Sequence, residues 1–177
     1  MFRLVVIIFF FLAFVSCRPR YQPEPLFESN NDFENYAGWS DSSSNAYTLH
    51  YGEGHSGNYC IKVSKQHPFS AFFKLTFNQI PDERPTRLLI SVFYKVNSKA
   101  ISKTAMVCHI QDAAKKTLHW IEFPLVNESQ ETGKWMLFKK EVDITWVAEP
   151  KNTMAVLFWN HDTEEEVLID DISLKYY

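Results

Sequence analysis

The sequence of 177 residues is poor in the residues that mark fibrous, disordered or metal-rich proteins. It has 5 glycines and 8 prolines, too few for a collagen-like or low-complexity chain. Its three cysteines form no zinc-ligand pattern, because neither Cys60 nor Cys108 has a second ligand at close spacing. A net charge of −3 does not suggest the concentrated basic face that nucleic-acid binding requires. These absences favour one globular domain with a packed core and no nucleic-acid partner.

Long apolar runs are scarce too, and the clearest one lies at the amino end. Arg3 is followed directly by 12 apolar residues, 4–15. This length suits the core of a signal peptide and falls short of the roughly 20 residues of a membrane-spanning helix. We therefore expect residues 1–16 to be a signal peptide and the protein to be exported.

The segment after the apolar run predicts a lipid anchor. Residues 14–17 resemble the lipobox of a bacterial lipoprotein, in which the cysteine, here Cys17, becomes the lipidated first residue; Phe14 replaces the usual leucine. Three prolines between residues 18 and 25 exclude helix and indicate an extended tether. We expect a lipidated Cys17 with a tether over 17–25, and a location in the cell envelope on a membrane. An ordinary cleavage site with an unmodified Cys17 is the alternative.

The other two cysteines allow two interpretations. Cys60 and Cys108 both lie in strand-like runs. An oxidising compartment would permit a disulfide between them, whereas two buried free thiols need no pairing.

Aromatic residues are plentiful, at 16% of the chain, and the apolar residues around them alternate with a period of two. Such alternation is typical of half-buried strands, and turn-forming residues separate the runs. The longer runs are 88–96, 106–110, 121–125, 154–158 and 168–174, and the shorter ones are 46–51, 59–64, 71–77 and 135–144. Residues 26–177 are therefore predicted to be all-β, a two-sheet antiparallel β-sandwich (jelly roll) of about nine or ten strands.

Four segments, taken in order, resemble carbohydrate-binding-module-like and galactose-binding-domain-like jelly rolls. They are Asn31-Asp-Phe-Glu34 with Gly38-Trp39, His55-Ser-Gly-Asn-Tyr59 with Ile61-Lys-Val63, Gly133-Lys-Trp135, and Ile169-Asp-Asp-Ile172 with Leu174. The resemblance covers nearly the whole of the chain after the tether. It implies the jelly-roll fold and a domain that binds oligosaccharide or polysaccharide without catalysis.

The same resemblance implies a structural Ca²⁺ between the opening and closing segments. Its ligands would be Glu34, backbone oxygens near Asn58, and Asp170. Alternation along the last strand places Asp170 on the inward side with Leu168, Ile172 and Leu174, where a carboxylate needs a counter-charge. The alternative is that Asp170 bonds to backbone amides or to an arginine and no ion is present.

Residues that alternate with the inward set indicate a ligand face. Aromatic rings lie there among imidazoles, amides and charged groups, and sugar rings stack on tryptophan while their hydroxyls bond to polar groups. The predicted ligand-binding residues are Lys95, His109, Gln111, Trp120, Glu122, Trp159 and His161.

These patterns favour a binding protein over an enzyme. The glycine-rich segment 52–57 matches a dinucleotide-binding pattern, but a strand follows it where a helix is required. We therefore expect a non-catalytic carbohydrate-binding domain on a membrane-anchored bacterial lipoprotein. The alternative is a structural or adaptor domain whose aromatic face docks an envelope protein partner.

Overall fold

The computed structural model of the protein describes residues 23–35, 38–39, 48–81, 83–97, 103–125, 131–161 and 164–177. The predicted signal peptide, the lipidation site Cys17 and most of the tether lie outside these residues, so export and anchoring stay predictions. Within the described ranges, no helix is both long and apolar enough to cross a membrane.

Ten strands are found in the described part of the chain, in agreement with the nine or ten predicted. A single-turn 3-10 helix at Phe77–Gln79 follows the fourth strand. The strands are β1 (Phe27–Asn31), β2 (Leu49–Tyr51), β3 (Tyr59–Val63), β4 (Phe73–Thr76), β5 (Arg87–Val96), β6 (Thr104–Gln111), β7 (Thr117–Pro124), β8 (Met136–Asp143), β9 (Thr153–Asn160) and β10 (Val167–Tyr176).

The strands form two antiparallel sheets. Sheet A has the order β2-β3-β10-β5-β8. Along one edge of β10, β3 pairs with its first half and β1 pairs with its second half. Sheet B has the order β4-β9-β6-β7. The prediction of an all-β, two-sheet antiparallel sandwich is confirmed.

The core lies between the sheets, where the alternating apolar side chains of both meet. Along β5, Leu88, Ile90 and Val92 are fully buried, while their sequence neighbours are partly exposed. Met106 and Ile110 on β6 belong to the same buried cluster from the opposite sheet. Each sheet therefore has an outer face, and the residues on these outer faces are the candidates for binding.

A β-bulge in β10 changes which side of sheet A its residues face. The pairing with β5 shifts between Asp170 and Ser173, and Asp171 adopts a positive φ of 47°. Before the shift, Asp170 lies directly opposite Phe93, and paired residues share a face. Asp170 is therefore on the outer face, and the prediction that it shares the inward side with Ile172 is wrong. Alternation cannot be extended through an inserted residue, because the extra residue exchanges the two sides.

The two remaining cysteines are buried free thiols, as in the second interpretation. Cys60 lies on β3 of sheet A and Cys108 on β6 of sheet B. Burial raises the pKa of each thiol to about 12, so both stay protonated at neutral pH.

Candidate functional site

The outer face of sheet B brings together six of the seven predicted ligand-binding residues. They come from the adjacent strands β9, β6 and β7, together with the residue that follows β9. The register sets His109 directly opposite Trp120. The six are His109, Gln111, Trp120, Glu122, Trp159 and His161.

A pair of indole rings occupies the middle of this face. The ring centroids of Trp120 and Trp159 are 5.7 Å apart at an interplanar angle of 81°. Their strands lie on either side of β6, and Val107 of β6 is paired with Glu122 on the same outer side. Val107 is nevertheless fully buried. The two rings therefore lean across β6 and cover it.

The two tryptophans differ in how much of each ring is available. Trp159 is enclosed, because His161 packs 3.6 Å from it and Phe69 stacks at 5.6 Å, both measured between ring centroids. Trp120 is 40% exposed. Phe69 was not predicted from the sequence, because it lies outside the strands and so outside any alternation. The one sequence feature that could have identified Phe69 is its position after Pro68, shortly before a strand.

Glu122 holds the neighbouring rings in place. Trp120 Nε1 donates to Glu122 Oε1 at 2.5 Å, and Glu122 Oε2 lies 3.0 Å from Nε2 of His161. Both carboxylate oxygens thus have partners within the face. Glu122 fixes the orientation of Trp120 and His161.

Polar groups surround the indole pair. Nε2 of His109 lies 2.9 Å from Oγ1 of Thr117, and Gln111 Nε2 donates to the carbonyl of Lys115 at 3.1 Å. Burial lowers the pKa of His109, and the charge of Lys74 lowers it further. The imidazole is therefore neutral at pH 7.

A cavity of about 360 Å³ opens beside the indole pair. It combines an aromatic wall with the polar end of β9. Its lining residues are Lys65, Pro68, Trp159, Asn160 and His161.

Lys95 does not belong to this face, so its predicted place beside the other six is wrong. It lies on β5 of sheet A, where Nζ is 3.1 Å from Oε1 of Glu53 and 5.4 Å from the ring centroid of Trp135. Alternation shows which residues of a strand share a side. It does not show to which sheet the strand belongs.

Loop 52–58 covers this part of the outer face of sheet A. His55 stacks on Phe93 with ring centroids 3.8 Å apart. The backbone amides of His55 and Ser56 donate to Oδ2 of Asp170 at 2.7 and 3.1 Å. The amide of Asp171 donates to the other carboxylate oxygen of Asp170 at 2.7 Å.

The predicted calcium ligands lie around the same loop. Glu34 Oε1 accepts the amides of Asn58 and Tyr59 at 2.5 and 2.6 Å, so Asn58 contributes a donor there. A Cβ on Gly57 would lie 2.5 Å from the Glu34 carboxyl group, so these two residues touch. Burial raises the pKa of Asp170 to about 6.

The described residues contain no group of three or more His, Cys, Asp or Glu side chains placed to hold a metal ion. The carboxylates of Glu34 and Asp170 each accept backbone amides in this arrangement. The amide donors of the alternative are present, and calcium itself stays a prediction.

Comparison with solved structures identifies the fold. The chain superposes on the CBM22-1 xylan-binding domain of Paenibacillus barcinonensis Xyn10C with a TM-score of 0.56 and 10% identity, covering 88% of this chain and 97% of that one. This chain therefore shares the two-sheet jelly-roll fold of that module. The resemblance inferred from the four sequence segments is confirmed at this level.

Two further structures agree. The C-terminal family 22 module of Clostridium thermocellum Xyn10B gives a TM-score of 0.53 at 14% identity, covering 84% of this chain and 92% of that one. The CBM22-1–GH10 modules of the same organism's xylanase 10B, complexed with xylohexaose, give 0.55 at 16% identity. That match covers 88% of this chain and 29% of the longer one. No protein-family model and no curated protein matches the sequence.

Proposed function

We propose that this domain is a non-catalytic carbohydrate-binding module that holds a glycan chain on the outer face of sheet B. The observation that carries the proposal is the exposed ring of Trp120, fixed by its hydrogen bond to Glu122 beside a second indole. The apolar C–H side of a sugar ring stacks on such a surface. Because the ring is already oriented, little side-chain freedom is lost on binding.

The polar groups around the indole pair supply hydrogen bonds to sugar hydroxyls. Neutral His109 has one ring nitrogen that donates and one that accepts, and Gln111 has a carbonyl oxygen that accepts. The hydroxyl of Thr117 lies beside them. The combination of one stacking ring with several uncharged polar groups suits a neutral sugar backbone.

The same face argues against hydrolysis. Most glycosidases use a pair of carboxylates that flank the scissile bond. The four strands of sheet B contain one carboxylate, Glu122, and both of its oxygens are occupied by Trp120 and His161. This arrangement supports binding without catalysis.

Glycan titration with the Trp120→Ala variant tests the proposal. The probes are xylohexaose and a glycan array, and the matched control is Trp146→Ala, whose ring is 53% exposed and contacts His119. Loss of stacking is expected to weaken binding by about tenfold in Trp120→Ala, with folding intact, and to leave the control unchanged.

Two results would contradict the proposal. One is equal glycan affinity in the two variants. The other is an absence of glycan binding together with stable co-purification of an envelope protein that is lost in Trp120→Ala, which would establish the adaptor function instead.

The domain is further proposed to act at the cell envelope, tethered to a membrane through Cys17. The support is the apolar run 4–15 after Arg3 and the lipobox-like segment that ends at Cys17. Mass spectrometry of the mature protein is expected to find a lipidated Cys17 as its first residue. An unmodified Cys17 would rule out the anchor.

A further inference from the structure

The four strands of sheet B carry one carboxylate, Glu122, and one ammonium group, Lys74, on opposite edges of the sheet. Glu122 is paired with His161, and Lys65, at the rim of the cavity, is paired with Glu164. Lys74 is the one lysine or arginine in the four strands of sheet B, and it is exposed. No carboxylate among the described residues forms an ion pair with it. Within the described part of the chain, an ammonium group without an ion-pair partner therefore lies on the face where the glycan is placed.

Lys74 lies in the same cross-strand row as the exposed indole. The register pairs Lys74 with Ala155, Ala155 with His109, and His109 with Trp120. Three strand spacings separate the two ends of the row, which is about 14 Å between backbones. Because Ala155 has a small side chain, it projects little from the sheet in the middle of the row. A chain lying across the strands can thus stack on Trp120 at one end and reach Lys74 at the other.

The lysine end of the face is otherwise polar and uncharged. The hydroxyls of Thr76 and Thr153 lie 3.1 Å apart in the next row, which continues to Gln111. Because His109 is neutral at pH 7, Lys74 is the positive charge of its own row. This end of the face therefore matches one negative group carried by a sugar.

We infer that the module prefers an acidic glycan, in which a sugar stacks on Trp120 and a neighbouring anionic group, a uronate carboxylate or a sulfate ester, binds Lys74. The inference rests on the proposed function, and it names the ligand class of the same face. An ammonium group is a point charge that attracts either anion, so the probes must distinguish the two.

Three probes of similar length separate the possibilities: xylohexaose, a xylo-oligosaccharide with one glucuronate branch, and a sulfated xylo-oligosaccharide. The native domain is expected to bind at least one acidic probe about three- to fivefold more tightly than xylohexaose at low salt. This preference is expected to shrink as salt is raised. The probe that is preferred identifies the anion.

Substitution of the lysine supplies the decisive control. Lys74→Met is expected to abolish the preference while keeping the affinity for xylohexaose, and Lys74→Arg is expected to retain it. Lys139→Met removes a lysine from the outer side of sheet A, where Lys139 pairs with Ser91, and should change nothing.

The failures of the two proposals differ. Equal affinity for neutral and acidic probes, still lost in Trp120→Ala, would overturn the acidic preference and leave carbohydrate binding intact. A preference that survives in Lys74→Met would overturn the assignment to Lys74. Binding to none of the probes and to no array glycan would overturn both proposals.

Discussion

The outer faces of the two sheets carry similar side chains but differ in whether a loop covers them. Sheet A presents Phe93 and Lys95, and sheet B presents Trp120 and His109. On sheet A, loop 52–58 places an imidazole on the Phe93 ring, so that ring is already stacked. On sheet B, the Trp120 ring keeps an exposed side. A binding face is therefore defined by whether a loop covers it as much as by its own residues.

The two faces also differ in how their polar groups are satisfied. On sheet A, the carboxylate of Asp170 binds the backbone of the covering loop and so holds the loop down. On sheet B, the carboxylate of Glu122 binds two side chains of the face itself. One carboxylate closes a surface, and the other arranges a surface that stays open.

Substitution of Asp170 is expected to have the largest effect on the difference between the two faces. Asp170→Ala removes the acceptor of three backbone amides, and a buried donor left without a partner is costly. We expect the free energy of unfolding to fall by about 2–4 kcal/mol, measured by denaturant titration. Amide exchange at His55 and Ser56 should accelerate, while glycan affinity at sheet B is retained.

Asp143→Ala is the matched control, because this exposed carboxylate caps the single amide of Thr145. Because Asp143 is exposed, its loss is expected to lower the free energy of unfolding much less than the loss of Asp170. The effect of Asp170→Ala should also depend on pH. Burial holds the pKa of Asp170 at about 6, above its unfolded value, so this group stabilises the fold most at low pH and less as pH rises toward 7. Equal losses in the two variants would contradict this prediction and would mean that the other contacts of loop 52–58, such as those of Asp171 with His55 and Ser56, hold it in place.

Substitution of Glu122 is expected to have a smaller effect, on the outer face of sheet B. Glu122→Ala frees Trp120 and His161 to reorient, at little cost in stability because the pair is partly exposed. Glycan affinity is expected to fall about threefold, and the near-ultraviolet circular dichroism of the Trp120–Trp159 pair should weaken.

Glu122→Gln keeps a carbonyl oxygen for the Trp120 indole and is expected to restore most of both signals. A loss of affinity with an unchanged circular dichroism spectrum would instead mean that Glu122 contacts the sugar directly.

Much of the fold follows from the sequence, because period-two alternation reports the two sides of a strand. The same alternation identified six residues that the structure brings onto one face. It could not place Lys95, since sheet membership depends on pairing between distant strands. It misplaced Asp170, because the bulge at Asp171 leaves no clear mark in composition. Lys74 was missed for a simpler reason: its run is short, and a single exposed lysine carries no pattern.

The pairing of β1 with β10 has a practical consequence. Leu26 donates its amide to the carbonyl of Tyr176 at 2.7 Å, so the first and last described strands meet at one corner of sheet A. A fusion partner, affinity tag or sensor surface attached beside Leu26 or Tyr177 would leave from that corner. Sheet B lies on the other side of the sandwich, so Trp120 and Lys74 would stay accessible to a polysaccharide in either orientation of the attachment.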